Sequence, residues 1–218
     1  SDLDTLGTSS INTTNTTPAT TKREVLHYVA SVYDPLGYFT PVTLLGKCFV
    51  QNLWREELEW DHKLSEAQQT EWNTICKQLK TIELIKLPRY IGSYESDSTK
   101  YELLCFTDSS GKAYAAAVYL RIVSDDTCSV NLIFSKNRLT PNKGLSIPRL
   151  ELLGVLIGVR CLNFVQKELK LPITKRNLWT DSKCVLSWIV SHKPLPIFVE
   201  NRLREIKSAK DIEINYVP

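Results

Sequence analysis

Leu103-Leu104-Cys105-Phe106-Thr107-Asp108-Ser109-Ser110 is the stretch that decides how this chain folds. An apolar run of strand-favouring residues ends abruptly on an acid. A carboxylate beside a core is costly unless something positive or hydrogen-bonding compensates it. Two further segments repeat the pattern: Pro148-Arg149-Leu150-Glu151-Leu152-Leu153 and Asn177-Leu178-Trp179-Thr180-Asp181-Ser182. Taken singly, each acid is explained by capping a turn or a helix. Taken together, in this order and at the ends of three buriable elements, they point to a shared divalent-cation site. Two cations held by carboxylates form a device for cutting phosphodiesters.

Working outward, Tyr101 to Thr107 reads as a first strand, Ala113 to Val123 as a second and Cys128 to Lys136 as a third. The turns around Gly111 and Asp125-Asp126 are short, so an antiparallel meander is predicted. Pro148 opens a helix to about Leu169, with Leu150, Leu153, Ile157, Cys161 and Val165 as apolar positions. Gly154 and Gly158 let a neighbouring backbone come close. Asn177 to Thr180 is a fourth strand, Lys183 to Val190 and Pro196 to Ser208 are helices, and Ile212 to Val217 is a fifth strand. A helix between the third and fourth strands implies a crossover that makes the first and fourth strands parallel neighbours. Asp108 and Asp181 then lie at the carboxyl ends of adjacent strands, with Glu151 in the first turn of the crossover helix.

Upstream, the character changes. Residues 1 to 21 are rich in Ser, Thr and Asn and lack Lys and Arg, which predicts a disordered linker. Residues 22 to 95 predict a small, mostly helical unit. Its helices run from Arg23 to Tyr33, from Pro41 through Trp54, and after a capping box at Ser65 and Gln68. Asp34-Pro35-Leu36-Gly37 breaks the first from the second. The Trp residues of this unit are expected to fill its core. The unit ends near Pro88, and the boundary is expected between about residues 90 and 100.

Composition narrows the classes. At 218 residues and 43% hydrophobic, the chain can build a sizeable core. Its net charge of +3 allows a nucleic-acid partner without demanding one, and no basic tail exists. No apolar run is long enough to span a membrane, and no signal-peptide pattern is visible. The six cysteines are widely spaced, which reads as reduced, buried thiols in an intracellular protein. The three histidines show no ligand spacing. Any metal here is therefore a hard cation on oxygen ligands.

Phe106-Thr107-Asp108-Ser109-Ser110 with Ala113-Tyr114-Ala115-Ala116 resembles the first strand and turn of a ribonuclease H domain. Ile147 to Leu152 is similar to its glutamate helix, and Trp179-Thr180-Asp181-Ser182 to its second aspartate. Tyr33-Asp34-Pro35-Leu36-Gly37, Leu53-Trp54, Trp60-Asp61, Ser135-Lys136-Asn137-Arg138 and Asn201-Arg202 resemble the pol polyproteins of BEL/Pao retrotransposons. The resemblance implies an α/β fold: a ribonuclease H-like mixed five-stranded sheet with flanking helices over residues 100–218. It further implies that residues 22–95 are the end of a reverse transcriptase, thumb- or connection-like. The implied reaction is hydrolysis of the RNA strand of an RNA–DNA hybrid. Asp108 would bridge two Mg²⁺ or Mn²⁺ ions and Glu151 and Asp181 would hold one of them. The family's fourth carboxylate, an Asp beyond the fifth strand, is not expected among these residues, which stop at Tyr216-Val217-Pro218 before it; Asp211 precedes the last strand and does not match that position. The two-metal site is thus expected to be incomplete and cleavage impaired. Lys136, Arg138, Lys143 and Arg149 are candidate phosphate contacts, and Ser109, Ser110 and Asn201 candidate contacts to backbone or 2′-hydroxyls. The other implied partners are the rest of the pol polyprotein, namely the reverse-transcriptase palm and integrase, in a cytoplasmic particle or the nucleus. The alternative is a non-catalytic nucleic-acid-binding or structural relic that keeps the fold. Asp108-Ser109-Ser110-Gly111 has one residue too many for an aspartic peptidase motif.

Overall fold

The computed structural model describes residues 19–92, 98–124 and 127–218, together with the backbone of Thr5 and Leu6. The linker expected over residues 1–21 thus falls mostly outside the described residues, as does the Asp125-Asp126 turn. Thr5–Leu6 pairs antiparallel with Leu87–Pro88. The chain divides into two compact units, Ser1–Ile91 and Gly92–Pro218.

Among its described residues the first unit holds three helices: α1 (Lys22–Ser31), α2 (Thr40–Arg55) and α3 (Glu66–Lys80), with a 3₁₀ turn over Thr81–Leu84. Sequence chemistry sets their starts. The Thr21 side chain accepts from Glu24 N while Glu24 reaches back to the backbone of Thr21, a complete capping box, and Ser65 with Gln68 repeats it on α3. Pro41 stands in the first turn of α2, where its missing N–H is harmless. The core gathers on Trp72, which stacks on Phe49 (5.6 Å, 21°) and meets Tyr28 edge-on (5.5 Å, 89°). Val25, Leu53, Leu79 and Ile82 close around it. The expectation that every Trp fills this core is corrected at two positions. Trp54 and Trp60 remain 47% and 39% exposed. They flank the ammonium of Lys22 at 5.1 and 4.8 Å, and that ammonium also donates to the Leu58 carbonyl at 2.7 Å. A cation between the two rings holds them at the surface.

The second unit is one five-stranded sheet with helices. Its strands are β1 (Lys100–Ser109), β2 (Ala113–Ser124), β3 (Thr127–Leu139), β4 (Ile173–Thr180) and β5 (Glu213–Tyr216), and its helices α4 (Ile147–Leu169), α5 (Lys183–Val190) and α6 (Ile197–Ser208). The spatial order is β3-β2-β1-β4-β5. The first three strands form an antiparallel meander, and β1–β4 and β4–β5 are parallel. Phe106 pairs with Trp179 across the central parallel junction. Along β1, Leu103, Cys105 and Thr107 are buried and alternate with exposed Phe106 and Asp108. The buried set faces α4, whose Gly158 comes against Thr107, Leu178 and Cys105. On the other face Phe106 stacks on Trp179 (5.0 Å) and meets Tyr119 edge-on (5.9 Å).

The fourth strand starts at Ile173, four residues before the sequence suggests. Lys175 and Arg176 hide it from hydrophobic periodicity. Arg176 is nevertheless buried, because its guanidinium donates to Asn163 Oδ1 of α4 at 2.7 Å and pairs with Asp211. The cysteines are free, yet only Cys105 and Cys161 are buried and Cys128 is exposed, which corrects the expectation of general burial. No helix among the described residues is long and apolar enough to cross a membrane.

Candidate metal centre

Three elements deliver one acid each to the same corner. Asp108 is the penultimate residue of β1, inside the strand. Asp181 follows the last residue of β4, held between two hydroxyls: Thr180 Oγ1 accepts from Ser182 N (3.2 Å), and Ser182 Oγ caps α5 by accepting from Val185 N (3.3 Å). Glu151 lies on the second turn of α4, beyond Pro148 in its first. A carboxylate oxygen from each of the three lies within 4.8 Å of the others.

Hydrogen-bond donors reach this corner, with Ser109 N–H donating to Asp108 Oδ1 at 2.6 Å, but counter-charge does not. Among the described residues no Lys or Arg forms an ion pair with any of the three. Glu151 is buried at 9% exposure. Burial pushes its carboxyl above the usual glutamate range, the Ser109 hydroxyl beside it pulls the other way, and the charges of Asp181 and Asp108 raise it further. The Ser109 Oγ atom is itself fully buried and lacks a partner of full hydrogen-bond geometry. Converging oxygens with no counter-charge among the described residues fit a small, hard divalent cation and suit Mg²⁺ or Mn²⁺ better than a softer metal.

The other sequence candidates separate into groups. The Ser109 hydroxyl is buried and lies beside Glu151. Ser110 Oγ is used in the β1–β2 turn, where it accepts from Lys112 N and Ala113 N. Arg138 and Asn201 line one cleft of about 370 Å³, floored by Leu153, Leu156 and Ile157 of α4. Arg149 reaches the same neighbourhood, with its guanidinium 5.3 Å from the Phe198 ring centre. Lys136 stands two residues from Arg138 on the α4 side of β3, where both oppose the burial that pushes the Cys161 thiol up to about 11. Lys143 is exposed in the loop before α4. The sequence reading missed two members of the cleft. Arg202 places its guanidinium carbon over the Phe198 ring, 3.6 Å from its centre, and Arg160 is held by Glu205 through two bonds of 2.6 and 2.8 Å. The i, i+4 spacing of Phe198 and Arg202 was the available signal.

A family model for the Pao retrotransposon-like RNaseH-like domain matches residues 21–182. The chain belongs to this family. The match to the Pao RNaseH-like domain takes in α1–α3 as well as all three acids, and ends just past Asp181. Among solved structures, the foamy viral protease-reverse transcriptase in complex with RNA/DNA hybrid aligns with 94% of this chain at 12% identity and a TM-score of 0.52. That alignment covers 26% of the viral chain, so the Pao domain described here spans about a quarter of it. RNase H1 from the halophilic archaeon Halobacterium salinarum NRC-1 aligns with 55% of this chain and 86% of its own, at 14% identity and a TM-score of 0.35. LC11-RNase H1 in complex with RNA/DNA hybrid gives 54%, 86%, 12% and 0.37. At such identities the foamy viral likeness speaks for the fold. No curated protein matches the chain by sequence.

Proposed function

We propose that this Pao RNaseH-like domain hydrolyses the RNA strand of RNA–DNA hybrids within a retrotransposon polyprotein. The observation that carries the reading is the convergence of Asp108, Glu151 and Asp181 from three separate elements, with no Lys or Arg among the described residues paired to them. The three carboxylates hold Mg²⁺ or Mn²⁺. When bound, the metal supplies Lewis-acid polarisation of the scissile phosphate and lowers the pKa of water near it. Asp108, near the carboxyl end of β1, and Asp181 are exposed and face the substrate side. Glu151 anchors the arrangement from within the fold. Arg138, Arg149 and Asn201 supply cationic and polar contacts for backbone phosphates, joined by Lys136 and Lys143 at the margin. The helical unit over residues 22–95 is the adjoining reverse-transcriptase segment, and the polyprotein supplies the palm.

The test is cleavage of a labelled RNA–DNA hybrid in millimolar Mg²⁺ or Mn²⁺, beside duplex DNA and duplex RNA of the same sequence. The expected result is cutting confined to the RNA of the hybrid and abolished by Asp108→Asn or by chelation. Equal hybrid cleavage by wild type and Asp108→Asn overturns the assignment. Hybrid binding without cleavage in either metal makes the domain a binding module.

A further inference from the structure

The helix that carries Glu151 meets the two strands that carry Asp108 and Asp181 through a residue with no side chain. A Cβ at Gly158 would lie 2.6 Å from Thr107 Cγ2, 2.8 Å from Leu178 Cδ1 and 3.2 Å from Cys105 Sγ. All three neighbours are buried. Thr107 directly precedes Asp108 in β1, and Leu178 lies three residues before Asp181 on β4. Thr107 has little freedom to swing its methyl away. Its hydroxyl donates to the Trp179 carbonyl at 3.1 Å, which fixes the rotamer and ties β1 to β4 just beneath the two aspartates. One turn nearer the site, a Cβ at Gly154 would lie 3.4 Å from the carbonyl oxygen of Asp108 itself. Glu151, Gly154 and Gly158 follow one another at i, i+3 and i+7 along one side of α4.

We infer that Gly158 is a positioning residue for the acid cluster. It lets α4 close on both strands at once and thereby sets the separation of Glu151 from Asp108 and Asp181, about 10 Å away along the helix. The inference rests on the reading of the cluster as a metal site. Close-packed interiors transmit displacement. A methyl group at residue 158 therefore moves α4 outward or parts β1 from β4, and either movement changes the spacing of the acids. A small cation that demands near-ideal geometry registers such a change more sharply than packing does.

The experiment is Mn²⁺ titration of the full 218-residue chain, read by the electron paramagnetic resonance of free Mn²⁺ and by melting temperature, with no nucleic acid present. Wild type comes first, and if it holds no Mn²⁺ the metal reading itself is lost. Given binding by wild type, Gly158→Ala is expected to weaken Mn²⁺ affinity about tenfold or more, the cost typical of disturbing what orients a ligand. Val159→Ala, which loosens the same helix without adding a contact, keeps wild-type affinity. Thr107→Ser in the Gly158→Ala background removes the opposing methyl, keeps the hydroxyl, and restores most of the binding. Wild-type affinity in Gly158→Ala, or a double variant that regains stability without regaining affinity, makes Gly158 a packing residue only and overturns the inference. If Gly158→Ala does not fold, the double variant and Gly154→Ala decide it, with a smaller loss expected for the latter. Unchanged affinity in both overturns it equally.

Discussion

Glu24 and Glu151 both stand near the start of a helix, one in each unit, and their surroundings treat them in opposite ways. Glu24 closes the capping box of α1. It accepts from the backbone N–H of Thr20 at 2.7 Å and of Thr21 at 3.2 Å, and the bond from Thr20 leads in holding its carboxyl below the usual range. Among the described residues Glu151 receives no backbone donor, only the Ser109 hydroxyl beside it, which pulls its carboxyl down. It is buried between α4 and the end of β1, where desolvation first and the neighbouring aspartates next push its carboxyl up. The spacing of a glutamate within a helix therefore does not decide whether it is a cap. The donors that reach it do. An acid satisfied by backbone donors and apart from like charges belongs to the fold, whereas an acid kept among other acids waits for a partner from outside.

The largest break in this comparison is expected in catalysis. Glu151→Gln should lower hybrid cleavage by at least about a hundredfold, the scale on which one pre-organised group is lost, while Glu24→Gln leaves the rate unchanged. Parallel steady-state rates check it, and equal losses would mean that both variants act through stability alone. The next effect is metal linkage. At a Mg²⁺ concentration one hundred times the dissociation constant, the wild-type fold should gain about 2.7 kcal/mol. Urea unfolding with and without Mg²⁺ measures this gain, which E151Q should largely lose and E24Q should keep. A gain retained in E151Q removes that residue from the site.

Capping comes third. Glu24→Ala and Thr21→Ala should each cost about 1 kcal/mol, the usual value of a lost cap, and neither should alter the Mg²⁺ gain. The smallest effect is in pH. For Glu24 the folded pKa is lowered, so its stabilisation is present above the unfolded pKa and is lost as pH falls through the folded one. For Glu151 the folded pKa is raised, so without metal its ionisation costs stability as pH rises from the unfolded value through the folded one. Subtracting E24Q and E151Q from wild type in metal-free melts over the acid range should give slopes of opposite sign. Slopes of the same sign would sink the comparison.

Much of this was legible in the sequence, for a physical reason. The run Leu103 to Thr107 and the apolar periodicity of α4 are strong local signals, and a crossover helix between strands fixes their parallel relation. That is enough to bring three acids to one corner. What stayed hidden depends on partners far along the chain. The start of β4 was obscured because Arg176 reads as a surface residue until Asn163 and Asp211 are seen to meet it. Trp54 and Trp60 read as core until Lys22 is found between them. The inward turn of Ser109 depends on Glu151, more than forty residues later. The Thr21–Glu24 box is masked in the sequence by the Thr-rich stretch before it, in which one more Thr does not stand out as a cap.

The tie between Thr107 and Trp179 spans 72 residues. Pairings of that range are among the slow events of folding, since a long loop must close before any contact rewards it. The meander and α4 can assemble first and bring Asp108 and Glu151 near each other, but Asp181 arrives only when β4 docks beside β1. A cation that needs all three acids therefore stabilises the finished domain and gives little to the steps that precede it. Mg²⁺ should accordingly slow unfolding far more than it speeds folding, so that the metal acts on the lifetime of the native state.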